Sequence, residues 1–257
     1  MFSDTQIREV FHFSFLDRLL KLSDPGLYIL KGGVNLRFFF SSPRYSEDMD
    51  IAVLAGSAGT LKKNGYKILD YRAFRRSLRS FGIADIEVKG PAKANQTETT
   101  QRFRFGLVTA AGNRLPTKVE FSRRKDSPEG ESEVTLIDAE IARNYRKLAY
   151  RCPHYTGIAS VAQKLRALAG RPVTQAHDVF DLGILIRGGH GTSAPWSSLL
   201  GDKVNAKAIE CLMSLDWASY EGQVVEFLDE DAHAEFGDRR AWELLQCQIL
   251  GKLEADD

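Results

Sequence analysis

The spacing of apolar residues changes character near residue 125, and that change constrains the fold more than any single motif. Upstream, helix-period and strand-period segments alternate. Ile7, Val10, Phe11, Phe15, Leu19 and Leu20 predict a helix over 5–22 that LSDPG stops, and Leu27–Leu30 reads as a strand. Gly32-Gly33 turns the chain into a helix-length segment ended by Pro43, and Asp48–Leu54 reads as the next strand. Tyr71, Phe74, Leu78 and Phe81 predict one amphipathic helix over 66–81, with Arg72, Arg75, Arg76 and Arg79 on another face. Strands are expected at Ile83–Val88, Arg102–Thr109 and Lys118–Phe121. Beyond the polar run SRRKDSPEGES, the segments Gly157–Gly170, His177–Arg187 and Ala206–Leu228 all read as helices, with no strand among them. The expectation is a mixed α/β (α+β) domain over 1–135 with flanking helices, followed by an all-helical domain over 136–257.

Lys and Arg number 35 against 34 Asp and Glu in 257 residues, so any affinity for nucleic acid must come from local patches and not from an overall field. Cys152, Cys211 and Cys247 lie far apart with no CxxC spacing, which argues against a disulfide framework or a zinc site and fits a reducing cytoplasm. No stretch approaches the roughly 18 apolar residues of a membrane helix, and the N-terminus carries Asp4, Arg8 and Glu9 before any long apolar run, so neither a span nor a signal peptide is expected.

The chemistry concentrates in KGGVNLRFFFSSPRYSEDMD at 31–50. A strand, a glycine pair and a helix start present free backbone N–H groups and the positive end of a helix dipole, which suits a polyphosphate, although an isolated glycine pair is more often a plain turn. Asp48 and Asp50 share one strand face because side chains alternate, and two such carboxylates are tolerated where a divalent cation sits between them. In PTKVEFS, Lys118 and Glu120 share a strand face; Glu120 would complete an acidic set if the strands are neighbours, and otherwise the two neutralise each other.

These residues carry a resemblance. GGVNLRFFFSSPRYSEDMDIAV resembles the first motif of the AbiEii/AbiGii toxin family of nucleotidyltransferases, with Gly32, Gly33, Arg44, Ser46, Asp48 and Asp50 matching and Val34 in place of a small hydroxyl residue. KVEF at 118–121 is similar to the second motif. SVAQKLRALAGR at 160–171 resembles the third, with Gln163 where glutamate is common, and AHDVFDLGIL at 176–185 the fourth, with His177 for arginine. Four motifs in the family's order span roughly residues 30–187, and the last 70 or so residues carry none.

Two readings of the helical half stand open. Lys164 falls on the flank of a stripe formed by Ile158, Val161, Leu165 and Leu168, about 90° from its centre by the helical period, from which a lysine usually snorkels to solvent. Asp178 and Asp181 lie one turn apart beside an apolar face, where a salt bridge to Lys164 or Arg166 would hold two helices together. The resemblance instead implies that Lys164 and Asp178 serve the site, with Asp181 and His177 in support. It also implies that Lys31, Gly32, Gly33, Asn35, Arg44, Ser46 and Lys118 bind the nucleotide. Asp48, Asp50 and Glu120 would hold Mg²⁺ or Mn²⁺. The activity it implies is transfer of a nucleotide from an NTP to an acceptor, RNA such as the tRNA 3′ end, by a toxin with an antitoxin partner. The competing activities are transfer to a small molecule or a protein hydroxyl, and binding without turnover. The arginine face at 72–79 reads first as a solvated face, as such charge runs usually are; with Arg123, Arg124, Lys125 and a stacking Tyr66 or Tyr71 it is also the candidate RNA surface.

Overall fold

The computed structural model describes residues 2–88, 97–123, 131–191, 196 and 201–255. Contacts divide the chain into one unit of Met1–Phe39 and Tyr45–Tyr155 and a second of Phe40–Arg44 and Thr156–Asp257. The expected boundary lay at 135/136.

The first unit is built on a seven-stranded mixed sheet of order β3-β4-β5-β2-β1-β7-β6. Its strands are β1 (Tyr28–Lys31), β2 (Asp48–Val53), β3 (Ile83–Val88), β4 (Thr100–Thr109), β5 (Arg114–Ser122), β6 (Ser132–Leu136) and β7 (Arg151–Tyr155). Helix α1 (Asp4–Leu22) begins in a capping box, in which Ser3 Oγ accepts from the Gln6 N–H at 3.2 Å and Gln6 Oε1 from the Ser3 N–H at 3.0 Å. Its Phe11 packs on Phe105 of β4, with ring centroids 4.9 Å apart. Met49, Ile51 and Val53 of β2, Phe103, Phe105 and Leu107 of β4, and Val119 and Phe121 of β5 lie in one core with α1, α3 (Ala58–Leu69), α4 (Arg72–Leu78) and α5 (Ala139–Asn144). Side chains alternate along a strand, so Asp48, Asp50, Arg102, Arg104, Lys118 and Glu120 face away from that core.

Three expectations change here. The helix expected over 66–81 is two: α3 ends at Asp70, α4 starts after Tyr71, and Arg75 Nε donates to the Leu69 carbonyl at 2.7 Å, occupying an acceptor the next helical turn would have used. The helix expected over Ala206–Leu228 is also broken: Asp202–Met213 is followed by Trp217–Gln223, whose N-cap Asp216 accepts from the Ser219 N–H at 2.9 Å. Strands do occur beyond residue 125. β7 escapes a sequence reading because it contains Pro153, which removes a ladder donor, and β6 because it is short and nearly all exposed.

The second unit packs α6 (Gly157–Gly170) and α7 (Ala176–Arg187) with the helices Asp202–Met213, Trp217–Gln223 and Arg239–Glu254. Thr156 caps α6, accepting from the Ala159 N–H. The short segment Phe40–Arg44 belongs to this unit by its contacts: the Asp229 N–H donates to the Pro43 carbonyl at 3.0 Å, and Arg44 pairs with Leu228 in a β-bridge. On α6, Val161, Lys164, Leu165 and Leu168 are buried while Ile158 is 58% exposed. The buried stripe therefore excludes Ile158 and takes in Lys164 at its edge. No helix among the described residues is long and apolar enough to cross a membrane.

Candidate active site

Strand register assembles the first unit's charges. β2 pairs parallel to β5, with Asp48 opposite Lys118 and Asp50 opposite Glu120. β1 pairs antiparallel to β2, with Lys31 opposite Asp50, and β4 pairs antiparallel to β5, with Arg102 opposite Glu120 and Arg104 opposite Lys118. One rank thus reads Lys31, Asp50, Glu120, Arg102 across four strands, and a second reads Asp48, Lys118, Arg104.

Lys118 Nζ lies 3.2 Å from Asp48 Oδ2 and 3.7 Å from Glu120 Oε2, and Arg102 Nε lies 2.6 Å from that same Glu120 oxygen. Burial pushes the Asp48 carboxyl above the ordinary aspartate range, and Lys118 only partly offsets it. Burial acts on Glu120 in the same sense, but Arg102 and Lys118 outweigh it and hold its carboxyl low. Burial opposes the Lys118 charge, yet Asp48, Asp50 and Glu120 raise its pKa. The Asp50 carboxylate makes no ion pair among the described residues. Ser46 Oγ donates to the Asp48 carbonyl at 2.8 Å, anchoring the entry to β2.

α2 (Gly32–Phe39) starts where β1 ends. Gly32 has φ +73°, and a Cβ there would stand 2.9 Å from Asp50 Oδ2. Only glycine supplies that backbone without strain and also leaves room for the carboxylate. The first-turn amides of α2, which lack helical partners, are thereby brought beside Asp50. Asn35 is fully buried and its Nδ2 donates to the Tyr155 carbonyl at 3.2 Å, so it ties α2 to β7.

The third and fourth motifs form a different kind of cluster inside the second unit. Lys164 Nζ lies 2.9 Å from Asp178 Oδ1 and 2.5 Å from Asp181 Oδ2. Arg44 Nη2 reaches both Asp181 oxygens at 3.1 Å, and Arg171 Nε lies 2.7 Å from Asp178 Oδ2. Lys164 is 5% exposed, Arg44 7%, and both aspartates 0%. Burial opposes ionisation of both aspartates, but Lys164 acts on Asp178 and Arg44 on Asp181 strongly enough to hold each carboxyl low. Burial likewise opposes the Lys164 charge, and the two aspartates overcome it. Burial, then Arg44, lowers the His177 pKa from 6.5 to about 3, so the ring is neutral. The salt-bridge reading of Asp178 is the arrangement found, with Lys164 and Arg171 as partners, while Arg166 is exposed. Arg44 belongs to this cluster; its guanidinium fork on Asp181 had no signal in its own neighbourhood of the sequence.

The expected RNA surface is partly taken apart. Arg75 binds Asp85 Oδ1 at 2.6 Å and the Ile86 carbonyl at 2.9 Å, and Tyr66 packs edge-on to Phe103 with its hydroxyl buried. Arg72, Arg76 and Arg79 are exposed, but α4 covers the core face of the sheet, opposite the acids. Arg124 and Lys125 lie outside the described residues. Among the described residues no three acidic, histidine or cysteine side chains gather as a metal-ligand set, and Lys118 and Arg102 share Glu120 Oε2.

Comparison with known proteins agrees with this geometry. The family described as nucleotidyl transferase AbiEii toxin, type IV TA system, matches residues 14–243. Among solved structures, the chain is similar to MenT4, a nucleotidyltransferase toxin from Mycobacterium tuberculosis H37Rv, with TM-score 0.67 and 17% identity over 99% of this chain and 85% of that one. It is also similar to JHP933 from Helicobacter pylori, with TM-score 0.54 and 17% identity over 99% of this chain and 95% of that one. A putative nucleotidyltransferase from H. pylori matches at TM-score 0.50 and 18% identity over the whole of both chains. No curated protein matches the chain. With nine-tenths of its length inside the family's match and its nucleotidyltransferase sheet in place, the chain belongs to the AbiEii toxin family of nucleotidyltransferases.

Proposed function

We propose that this protein transfers a nucleoside monophosphate from an NTP to the 3′ end of an RNA acceptor, of which tRNA is the leading example, and does so in the cytoplasm as the toxin of an antitoxin pair. The observation that carries the reading is the abutment of Gly32 on Asp50: a helix start able to hold phosphate lies directly beside an aspartate that makes no ion pair among the described residues. Lys31, next along the rank, adds positive charge on the same side.

Asp48 and Asp50 fit a divalent cation. They are hard oxygen donors on one strand face, and the cost of desolvating Asp48 is relieved by an added positive charge. Glu120 fits less well, since Arg102 and Lys118 share its Oε2. Bound there, Mg²⁺ or Mn²⁺ would neutralise charge building on the reacting phosphate.

The chain's own residues do the rest. The first turn of α2, with Lys31, holds the β- and γ-phosphates, and Lys118 places a point charge near the α-phosphate. The acceptor 3′-oxygen forms a bond to the α-phosphorus as the bond to the bridging oxygen breaks. Pyrophosphate leaves, and the hydroxyl proton passes to water. Lys164 and Asp178, saturated by each other and by Arg171, serve the second unit's helices as internal fasteners in this reading.

Incubation with labelled NTPs, Mg²⁺ and total tRNA tests the proposal. Label should enter tRNA with the wild type and not with Asp48→Ala. Label entering small molecules or protein instead, or equal transfer by the variant, overturns it.

A further inference from the structure

The acid pair has neighbours on both sides, and the two sides differ. Toward β1 stands the start of α2. Toward β5 and β4 lies a groove of about 320 Å³ whose lining includes Glu47, Asp48, Arg104, Arg114, Pro116 and Lys118.

Next to Pro116, which lines the groove, the sheet carries a glycine. Gly106 of β4 is register partner to both Glu87 of β3 and Pro116 of β5. Arg114 lies flat over this glycine: a Cβ on Gly106 would collide with its Nε and Cγ, and Nε reaches across to Glu87 Oε2 at 2.8 Å. A glycine is thus needed there for a cation to rest on the sheet, not for a turn. Arg104, one rank closer to Asp48, is exposed and makes no ion pair among the described residues. Lys118 closes the series beside Asp48. Three cations therefore run outward from the acids along the sheet face.

We infer that this groove holds phosphates of the acceptor strand next to the reacting 3′ end, with Arg104 and Arg114 as positioning residues. The inference rests on the nucleotidyl-transfer reading above. An in-line displacement requires the attacking hydroxyl and the departing pyrophosphate on opposite sides of the α-phosphorus. The sheet order places α2 on the β1 side of the aspartates and the groove on the β5 side, so a nucleotide held at Gly32 directs its α-phosphate toward the acceptor in the groove. The NTP's own phosphates are the other source of the same chemistry, and they are accounted for on the opposite side. The exposed arginines of α4 are poorly placed to share the task, because they lie across the sheet from the acids.

The test is salt-dependent binding of a fluorescent single-stranded RNA ending in a free 3′-hydroxyl to the full chain, followed by anisotropy without NTP, with NTP binding measured separately by calorimetry. Arg104→Ala should weaken RNA binding about 5- to 10-fold and lower the slope of log K against log salt by about 1, leaving NTP affinity unchanged. Gly106→Ala, which removes no charge but displaces Arg114, should also weaken RNA binding and raise KM for RNA more than it lowers kcat. Equal RNA binding by wild type and both variants overturns the inference, as does a wild type that binds no RNA. Loss of NTP affinity in Arg104→Ala would reassign the groove to the nucleotide and overturn it too. Label transfer, scored separately, decides the underlying activity: a wild type that binds RNA through the groove yet transfers nothing sinks that reading while leaving the groove's ligand established.

Discussion

Two clusters of acidic and basic residues, each read from motifs of one family, behave in opposite ways. On the first unit's sheet, Asp48, Asp50, Glu120 and Lys118 are partly exposed; Asp50 makes no ion pair among the described residues and burial raises the Asp48 carboxyl. In the second unit, Lys164, Asp178 and Asp181 are almost wholly buried, each carboxylate has two cationic partners, and both carboxyls are held low. The same residue types thus make a site with unsatisfied capacity in one place and a closed network in the other. What separates them is solvent access and the number of partners per carboxylate. An incompletely matched carboxylate gains from a ligand cation, whereas a saturated one has little left to offer.

The sharpest way to break this contrast is to remove one acid from each cluster. Asp50→Asn should lower transfer at least 10³-fold, about 4 kcal/mol of transition-state stabilisation, with little change in thermal midpoint. Steady-state kinetics beside calorimetric melting would show it, and retained activity would end the case for an open site.

Lys164→Ala should do the reverse first. Removing the shared cation breaks two buried ion pairs and leaves Asp178 only the partly exposed Arg171 and Asp181 only Arg44; the cost should be about 3–5 kcal/mol of folding stability, read as an earlier urea midpoint in the second unit. A variant as stable as wild type but inactive would return Lys164 to direct chemistry.

The third difference is in acid sensitivity. His12, buried in the first unit, and His177 in the second each have their pKa lowered by burial from 6.5 to about 3, with Arg8 and Arg44 adding to the effect. Between those values the unfolded chain takes up protons that the folded chain refuses. Stability should therefore fall as pH drops from about 6.5 toward 3, by up to about 1.4 kcal/mol per pH unit for each histidine. The aspartate network contributes stability that is present above the unfolded carboxylate range and is lost only as pH falls through its depressed values, so it fails later. Urea titrations at pH 7.5, 6 and 5 test this, and a flat profile contradicts it.

The smallest effect belongs to Arg171→Ala. Its side chain is 43% exposed and Asp178 keeps Lys164, so the loss should stay near 1 kcal/mol. A loss as large as that of Lys164→Ala would mean that the network is a single unit and not a core pair with a rim.

Much of the site was legible before the fold. Asp48 and Asp50 declare a shared face because strand periodicity is strict, and the glycine pair declares a turn into a helix. The second cluster was legible only as alternatives, since Lys164's position on its helix depends on which side faces the neighbours; Ile158, taken as part of the stripe, is exposed and Lys164 is buried. Arg75 reads as a free surface cation and is in fact a clamp on Leu69, Asp85 and Ile86. Gly106 carries no sequence signal at all, because its need for space is imposed by an arginine eight residues away on another strand.

By itself, then, the sequence determined periodicity, local turns and the order of four motifs, all properties of near neighbours along the chain. Tertiary structure decided which charges meet. Register across β1, β2, β5 and β4 set Asp50 against Glu120, with Lys118 between Asp48 and Glu120 and Arg102 on the far side of Glu120. Packing of α6 on α7 enclosed Lys164 between two aspartates that Arg44 and Arg171 then matched from either end. Coulomb interactions and desolvation depend on distance and exposure, which separation in sequence does not encode, and so the difference between an open charge cluster and a closed one appears only in the folded chain.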